Sequence, residues 1–182
     1  KNVSFFQPYW ISEKILVCSE DSSGWWNLLF LDVSEIESIF ITKRVKRNFI
    51  EYGAPQWVSG IQYFSGTIKN LFCLAKKESS LIVEQYKDLL FVKEFSTLFT
   101  SVSDFSVFGK KVLLKGNGSD FFGNILEIDF AEKVSSNFSE EIYFEHIKDC
   151  SKPESFWFKG FEDKSTHSFL YRPLVEKFKK PP

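Results

Sequence analysis

Short apolar runs separated by polar turns recur along the whole chain, and no window holds a 3.6-residue period over three turns. Ile15–Ser19, Leu71–Ala75 and Val112–Gly116 each lead through a turn of Ser, Gly, Asp, Asn or Lys into a second run, respectively Trp26–Asp32, Ser80–Tyr86 and Gly123–Asp129. Weaker runs follow two of these, Ser38–Thr42 and Leu89–Lys93. Strands this short, bounded by turn residues at regular intervals, predict antiparallel sheets rather than βαβ units. Their near-continuous apolar character predicts burial on both faces. Ser34–Ile41 is the best candidate for a short helix, and is equally compatible with a loop and an outer strand.

The order of elements repeats. An aromatic in an extended entry segment, Trp10, then Trp57, then Phe105, opens each unit, with spacings of 47 and 48 residues. That is the period of a four-stranded β-propeller blade. The pattern predicts an all-β partial propeller of about three four-stranded blades, at about 1–50, 51–97 and 98–150, with 151–182 as an extended segment that follows them. Trp10, Trp26, Trp57 and Phe105 are the structural repeat aromatics. The three tryptophans are expected in the core between blades, and Trp25, which alternates away from Trp26, is expected to face a central channel or solvent. A closed lipocalin-like barrel is the competing all-β fold, and makes the period accidental.

Composition fits an all-β chain. There are 22 Phe and 5 Trp but no Met, so aromatics suited to half-buried pleated surfaces replace a good helix former. The net charge of −1 and the scattered basic residues give no footprint for nucleic acid or an anionic membrane. The one cluster, Lys43-Arg-Val-Lys-Arg47, is expected to be a solvated loop. No apolar run approaches the ~20 residues that cross a bilayer. Cys18, Cys73 and Cys150 share no metal or disulfide spacing; Cys18 and Cys73 lie in apolar runs and are expected to be buried reduced thiols, which favours a cytoplasmic setting. The chain opens at Lys1 without an apolar signal core, and an upstream signal peptide stays open.

Two segments resemble a known family. Asp21-Ser-Ser-Gly-Trp-Trp-Asn-Leu-Leu-Phe-Leu-Asp32 is similar to a blade-strand signature of prolyl oligopeptidase family serine peptidases, in the branch of acylaminoacyl and dipeptidyl peptidases. Glu51-Tyr-Gly-Ala-Pro-Gln-Trp-Val58 resembles the entry to that family's next blade. Lys152–Phe158 and Thr166–Pro173 resemble the stretch that leaves the last blade and forms the first strands of the family's α/β-hydrolase domain. The resemblance implies a Ser-His-Asp triad on a hydrolase domain C-terminal to this segment, its nucleophile on a GxSxG elbow.

No GxSxG occurs in the chain. Gly116-Asn-Gly-Ser-Asp120 has its outline but lacks the closing glycine, so Ser119 is expected to be a turn residue. His146 and His167 are expected to be structural, and Glu140 and Glu141 a solvated acidic face rather than a clamp for a substrate's amino terminus. No catalytic, cofactor-binding or metal-ligating residue is assigned. The expectation is a non-catalytic propeller segment that limits substrate access to short peptides and contacts the hydrolase domain of its own parent chain. Unpaired blade edges and apolar first and last faces predict self-association. The functional alternative is a stand-alone propeller that binds protein or glycan.

Overall fold

A computed structural model describes residues 2–35, 37–54, 57–58, 60–119, 121–132, 134–137 and 151–173. His146, Glu140, Glu141 and Cys150 lie outside the described residues.

Strands β1 (Phe5–Trp10), β2 (Ile15–Glu20), β3 (Asn27–Glu35) and β4 (Ser38–Arg44) form a first antiparallel sheet in chain order. In the second sheet, β5 (Ile50–Glu51) and β6 (Phe64–Thr67) both pair with β7 (Asn70–Lys77), followed by β8 (Ser80–Lys87) and β9 (Leu90–Ser96). The third sheet runs β10 (Phe99–Phe108), β11 (Lys111–Gly118), β12 (Asn124–Asp129), β13 (Val134–Asn137). A hairpin of β14 (Pro153–Lys159) and β15 (Ser165–Tyr171) turns through a single 3-10 turn at Phe161–Asp163. Three separate meanders replace the continuous strand order that a lipocalin-like barrel requires. Within Ser34–Ile41 the described residues form the end of β3, a turn at Glu37 and the start of β4 rather than a helix, and β-branched Ile39 and Ile41 suit the pleated surface of β4.

The sheets are packed face to face like blades. Their first strands converge, β1 and β10 both touching β6. Phe30 meets Tyr86 and Tyr9 meets Phe64 between the first two sheets, with ring centroids 6.3 and 6.4 Å apart. Phe72 and Phe130 meet at 4.8 Å between the second and third. The middle sheet is therefore buried on both faces, and its inner strands read Leu71-Phe-Cys-Leu-Ala75 and Leu81-Ile-Val83 without alternation.

The outward faces of the flanking sheets differ. On the first sheet the register aligns Trp10, Leu16, Leu31 and Ile41 in one row across all four strands, beside the buried pair Cys18 and Leu29. On the third sheet the corresponding rows hold Lys111 opposite Asp129, Leu113 opposite Glu127 and Lys115 opposite Ile125. Lys111 Nζ lies 2.8 Å from Glu127 and 3.8 Å from Asp129. The last face is therefore mixed, with Phe108, Leu113 and Ile125 exposed among these charges.

The spacing of 47 and 48 residues is an average rather than a strict period. The second strands of the sheets begin at Ile15, Asn70 and Lys111, intervals of 55 and 41 residues. The long interval holds β5 and the stretch that leads to β6, and Trp57 lies in that stretch rather than at a strand end. Trp57 is 84% exposed, and Trp10, which points to the outward face of the first sheet, is 56% exposed. Neither belongs to the core between blades. Phe105 sits buried within β10, and Trp26 is half-buried.

Candidate functional site

The segments Asp21–Asp32 and Glu51–Val58 are neighbours in space. Gly24, at φ 88°, lets the β2–β3 turn close with its N–H donating to Asp21 O at 2.9 Å. The Ser23 hydroxyl accepts from the Asn27 amide at 2.8 Å, which fixes the turn that presents Trp25 and Trp26. Tyr52 N then donates to Trp26 O at 2.8 Å, and the Ser19 hydroxyl donates back to Tyr52 O. Gly53 lies beneath the Trp26 ring: a Cβ there would sit 3.1 Å from Trp26 Cγ. Phe6 packs edge-on against the same indole at 6.0 Å.

Between the first two sheets lies a buried polar knot. Glu84 on β8 is fully buried, and accepts hydrogen bonds from Tyr52 OH at 2.6 Å and Tyr86 OH at 2.9 Å. Its other oxygen takes the Arg47 guanidinium, which also lies 3.8 Å from Glu94 and 5.7 Å from the Phe91 ring centroid. Arg47 N donates to Asn27 Oδ1 at 2.8 Å, so one residue ties both sheets. Burial, then Tyr86 and Glu84, push the Tyr52 phenol far above its usual range; burial, then Glu84 and Cys73, do the same to Tyr86, against a lowering hydrogen bond with Tyr52. They stay protonated and act as donors. Burial alone would lower Arg47, but Tyr52 and Glu84 outweigh it and hold the guanidinium charged.

Two more residues of the basic cluster are built in as well, while Lys46 is exposed. Lys43 donates to Leu89 O, and Arg44 Nε lies 3.2 Å from buried Glu20. Lys43, Arg44 and Arg47 are thus ties within and between blades rather than parts of a solvated loop. Burial, then Glu20, push the Cys18 thiol up to about 11, and burial raises that of Cys73. Both cysteines are buried and free. Among the described residues no group of three or more His, Cys, Asp or Glu side chains could hold a metal ion. Ser119 follows β11 in a bend.

The candidate site is the place where the terminal hairpin lies on the blades. Trp25 does not face an open channel. Its ring meets Phe49 at 5.2 Å and Trp157 of β14 at 6.4 Å, and Phe49 meets Trp157 at 4.8 Å. His167, directly opposite Trp157 in the hairpin, lies tilted against it at 4.9 Å and meets Phe169 edge-on at 4.7 Å. Ser155 Oγ hydrogen-bonds His167 Nε2 at 2.7 Å and fixes the ring between those neighbours. These rings, with Glu51, Lys76 and Glu78, line a cavity of about 180 Å³. Burial pushes the Glu51 carboxyl up, and Lys76, its cross-strand partner, opposes the shift. A second cavity of about 270 Å³ adjoins the first on the same face of the hairpin, sharing Lys76 and Phe169 with it and reaching Thr100, Ser119 and Tyr171. Sequence reasoning named Trp25 and His167 separately, and missed Phe49 and Trp157 as their partners.

No family model matches the chain, and the search of curated proteins found no match. Solved structures match throughout. A puromycin hydrolase superimposes with TM-score 0.76 at 16% identity over 98% of this chain and 27% of its own. A Mycobacterium tuberculosis puromycin-hydrolyzing peptidase gives 0.72 at 20% identity, covering 93% of this chain and 26% of that one. Prolyl oligopeptidase B from Galerina marginata, bound to a 25mer macrocyclization substrate, gives 0.66 at 10% identity, over 92% of this chain and 23% of its own. The chain thus spans about a quarter of the length of the solved structures it resembles, and shares with them the fold of consecutive propeller blades.

Proposed function

We propose that this chain is a propeller segment of a prolyl oligopeptidase-like serine peptidase, in which the blades wall a catalytic chamber and the terminal hairpin begins the α/β-hydrolase domain. The observation that carries the reading is that the hairpin has two apolar faces. One, with Trp157, His167 and Phe169, rests on Trp25 and Phe49. The other presents Phe156, Phe158 and Leu170, all exposed, and the turn adds Phe161, 82% exposed. A two-stranded hairpin is marginal alone, and one with aromatics on both faces is a middle layer, between the blades and something further. The fold shared with puromycin-hydrolyzing and prolyl oligopeptidases supports a hydrolase domain as that layer.

In this reading the blades hydrolyse nothing. They restrict entry to short peptides or acylated amino acids and hold the domain interface. The test compares the 182-residue chain with the full product of its gene on peptide and acyl-amino-acid anilides. The chain alone should give no turnover, and the full product should hydrolyse the anilides and be labelled by a serine-directed fluorophosphonate. A full product that neither turns over nor takes the label overturns the assignment.

A further inference from the structure

The cavity between the terminal hairpin and the blades has two kinds of wall. Trp25, Phe49, Trp157 and Phe169 give it apolar surface, and Glu51, Lys76 and Glu78 give it charge. These charges are not engaged with one another. Glu51 on β5 stands directly opposite Lys76 on β7, yet among the described residues no hydrogen bond and no ion pair within 4 Å engages the side chain of Glu51, Lys76 or Glu78. The next residue, Lys77, shows the ordinary outcome and closes on Glu94 at 3.2 Å. Burial raises the Glu51 carboxyl, so its charged form lacks a partner that would offset the lost water. Glu78 opens the two-residue turn between Lys77 and Ser80 at φ 55°, a position where glycine is usual, and sets a second carboxylate on the lining.

The signs of these groups select the occupant. An anion would meet two carboxylates, and a plain ammonium would meet Lys76. A neutral apolar molecule would cover three charges without satisfying them. A small zwitterion answers both signs and leaves the rings for an apolar side chain. The volume of about 180 Å³ is below the ~300–1,000 Å³ of sites for drug-sized molecules, which limits the occupant to something the size of one amino acid. The adjoining cavity adds hydroxyls from Ser79, Thr100 and Ser119 and no charge beyond Lys76, so the ionic part of the ligand belongs in the first. Trp157, His167 and Phe169 line it from the hairpin face opposite Phe156, Phe158 and Leu170, so a layer added on that outer face leaves the cavity open to a ligand.

We propose that this cavity binds a free α-amino acid with an aromatic or large apolar side chain. Glu51 and Glu78 take the ammonium, Lys76 takes the carboxylate, and Trp25, Phe49, Trp157 and Phe169 take the side chain. The proposal is independent of the peptidase reading, since every group it uses belongs to this chain and none is asked to react.

The test is isothermal titration calorimetry on the whole 182-residue chain. L-phenylalanine should bind saturably at one site. N-acetyl-L-phenylalanine, L-phenylalaninamide and glycine should each bind at least about tenfold more weakly, the loss that follows removal of one charge-assisted hydrogen bond or one buried apolar side chain. The losses should map onto residues. Lys76→Met should erase the preference for the acid over its amide, and Glu51→Gln should reduce the preference over the N-acetyl derivative. Lys111→Met, on the third sheet and outside the cavity, should leave all four affinities unchanged. Thermal unfolding followed by circular dichroism checks that the variants fold; if a cavity variant does not, the four ligands on the parent chain decide. The proposal is overturned if phenylalanine shows no saturable binding, if the amide binds as tightly as the acid, which would make this a plain ammonium site, or if the preferences survive both cavity substitutions.

Discussion

Replacing Glu84 by glutamine keeps the shape of the buried side chain and removes its charge, so the change isolates the ionic part of the knot between the first two sheets. The amide oxygen can still accept from a tyrosine hydroxyl, but its NH2 must face Tyr52, Tyr86 or Arg47, all of which donate in the native knot. Arg47 would be left without its buried counter-ion. Removing one partner of a fully buried ion pair costs about 3–5 kcal/mol. Here the Arg47 side chain keeps 29% of its exposure and has Glu94 at 3.8 Å, so the cost falls to about 2–3 kcal/mol. For a chain of this size that lowers Tm by roughly 5–10 °C. The assay is urea and thermal unfolding of the parent, Glu84→Gln, Arg47→Met and the double variant. The double variant should be less destabilised than the sum of the singles by about 1–3 kcal/mol, as expected for groups in one network. Strict additivity, or a Glu84→Gln protein within about 0.5 kcal/mol of the parent, a shift typical of uninvolved surface sites, would refute the account.

Trp157→Ala removes ring contacts to Trp25, Phe49 and His167, each worth about 0.5–1.5 kcal/mol; amide exchange of β14 and β15 should accelerate strongly while the three sheets keep their protection. Gly53→Ala should cost about 1–3 kcal/mol, the usual range for overpacking, because its methyl meets the Trp26 ring at 3.1 Å; a variant as stable as the parent in urea unfolding would mean that the indole is not held. Glu51 has a raised pKa in the folded state, so its contribution to stability is complete below the ordinary glutamate value of about 4.3 and is lost as pH rises through the raised one. Glu51→Gln should therefore become progressively more stable than the parent across that window in pH-dependent thermal unfolding, and an unchanging difference would contradict the shift.

Strand identity was legible because the runs at Ile15, Leu71 and Val112 are apolar without helical period, and each folds as the second strand of a sheet. The even spacing misled because it was anchored on aromatics. Trp10 and Trp57 occupy similar sequence settings, but β1 ends at one and a connecting stretch carries the other, and both side chains point away from the core. The polar knot left a signal that went unused. Glu84 interrupts the run Leu81-Ile-Val-Glu-Gln-Tyr86, and a carboxylate inside a strand buried on both faces must find partners. Its cation, Arg47, lies 37 residues earlier in a cluster that looked solvated, and no local pattern links the two. The hairpin's aromatic contacts were hidden for the same reason, since Trp25 and Trp157 come together only once three sheets have been stacked between them.

The two flanks of this stack differ in what they would gain from a neighbour. A sheet laid over Trp10, Leu16, Leu31 and Ile41 would displace water from hydrocarbon, whereas one laid over the third sheet would have to strip hydration from Lys111, Lys115, Glu127 and Asp129. A duplicated blade would therefore graft readily ahead of β1 and poorly beyond the third sheet.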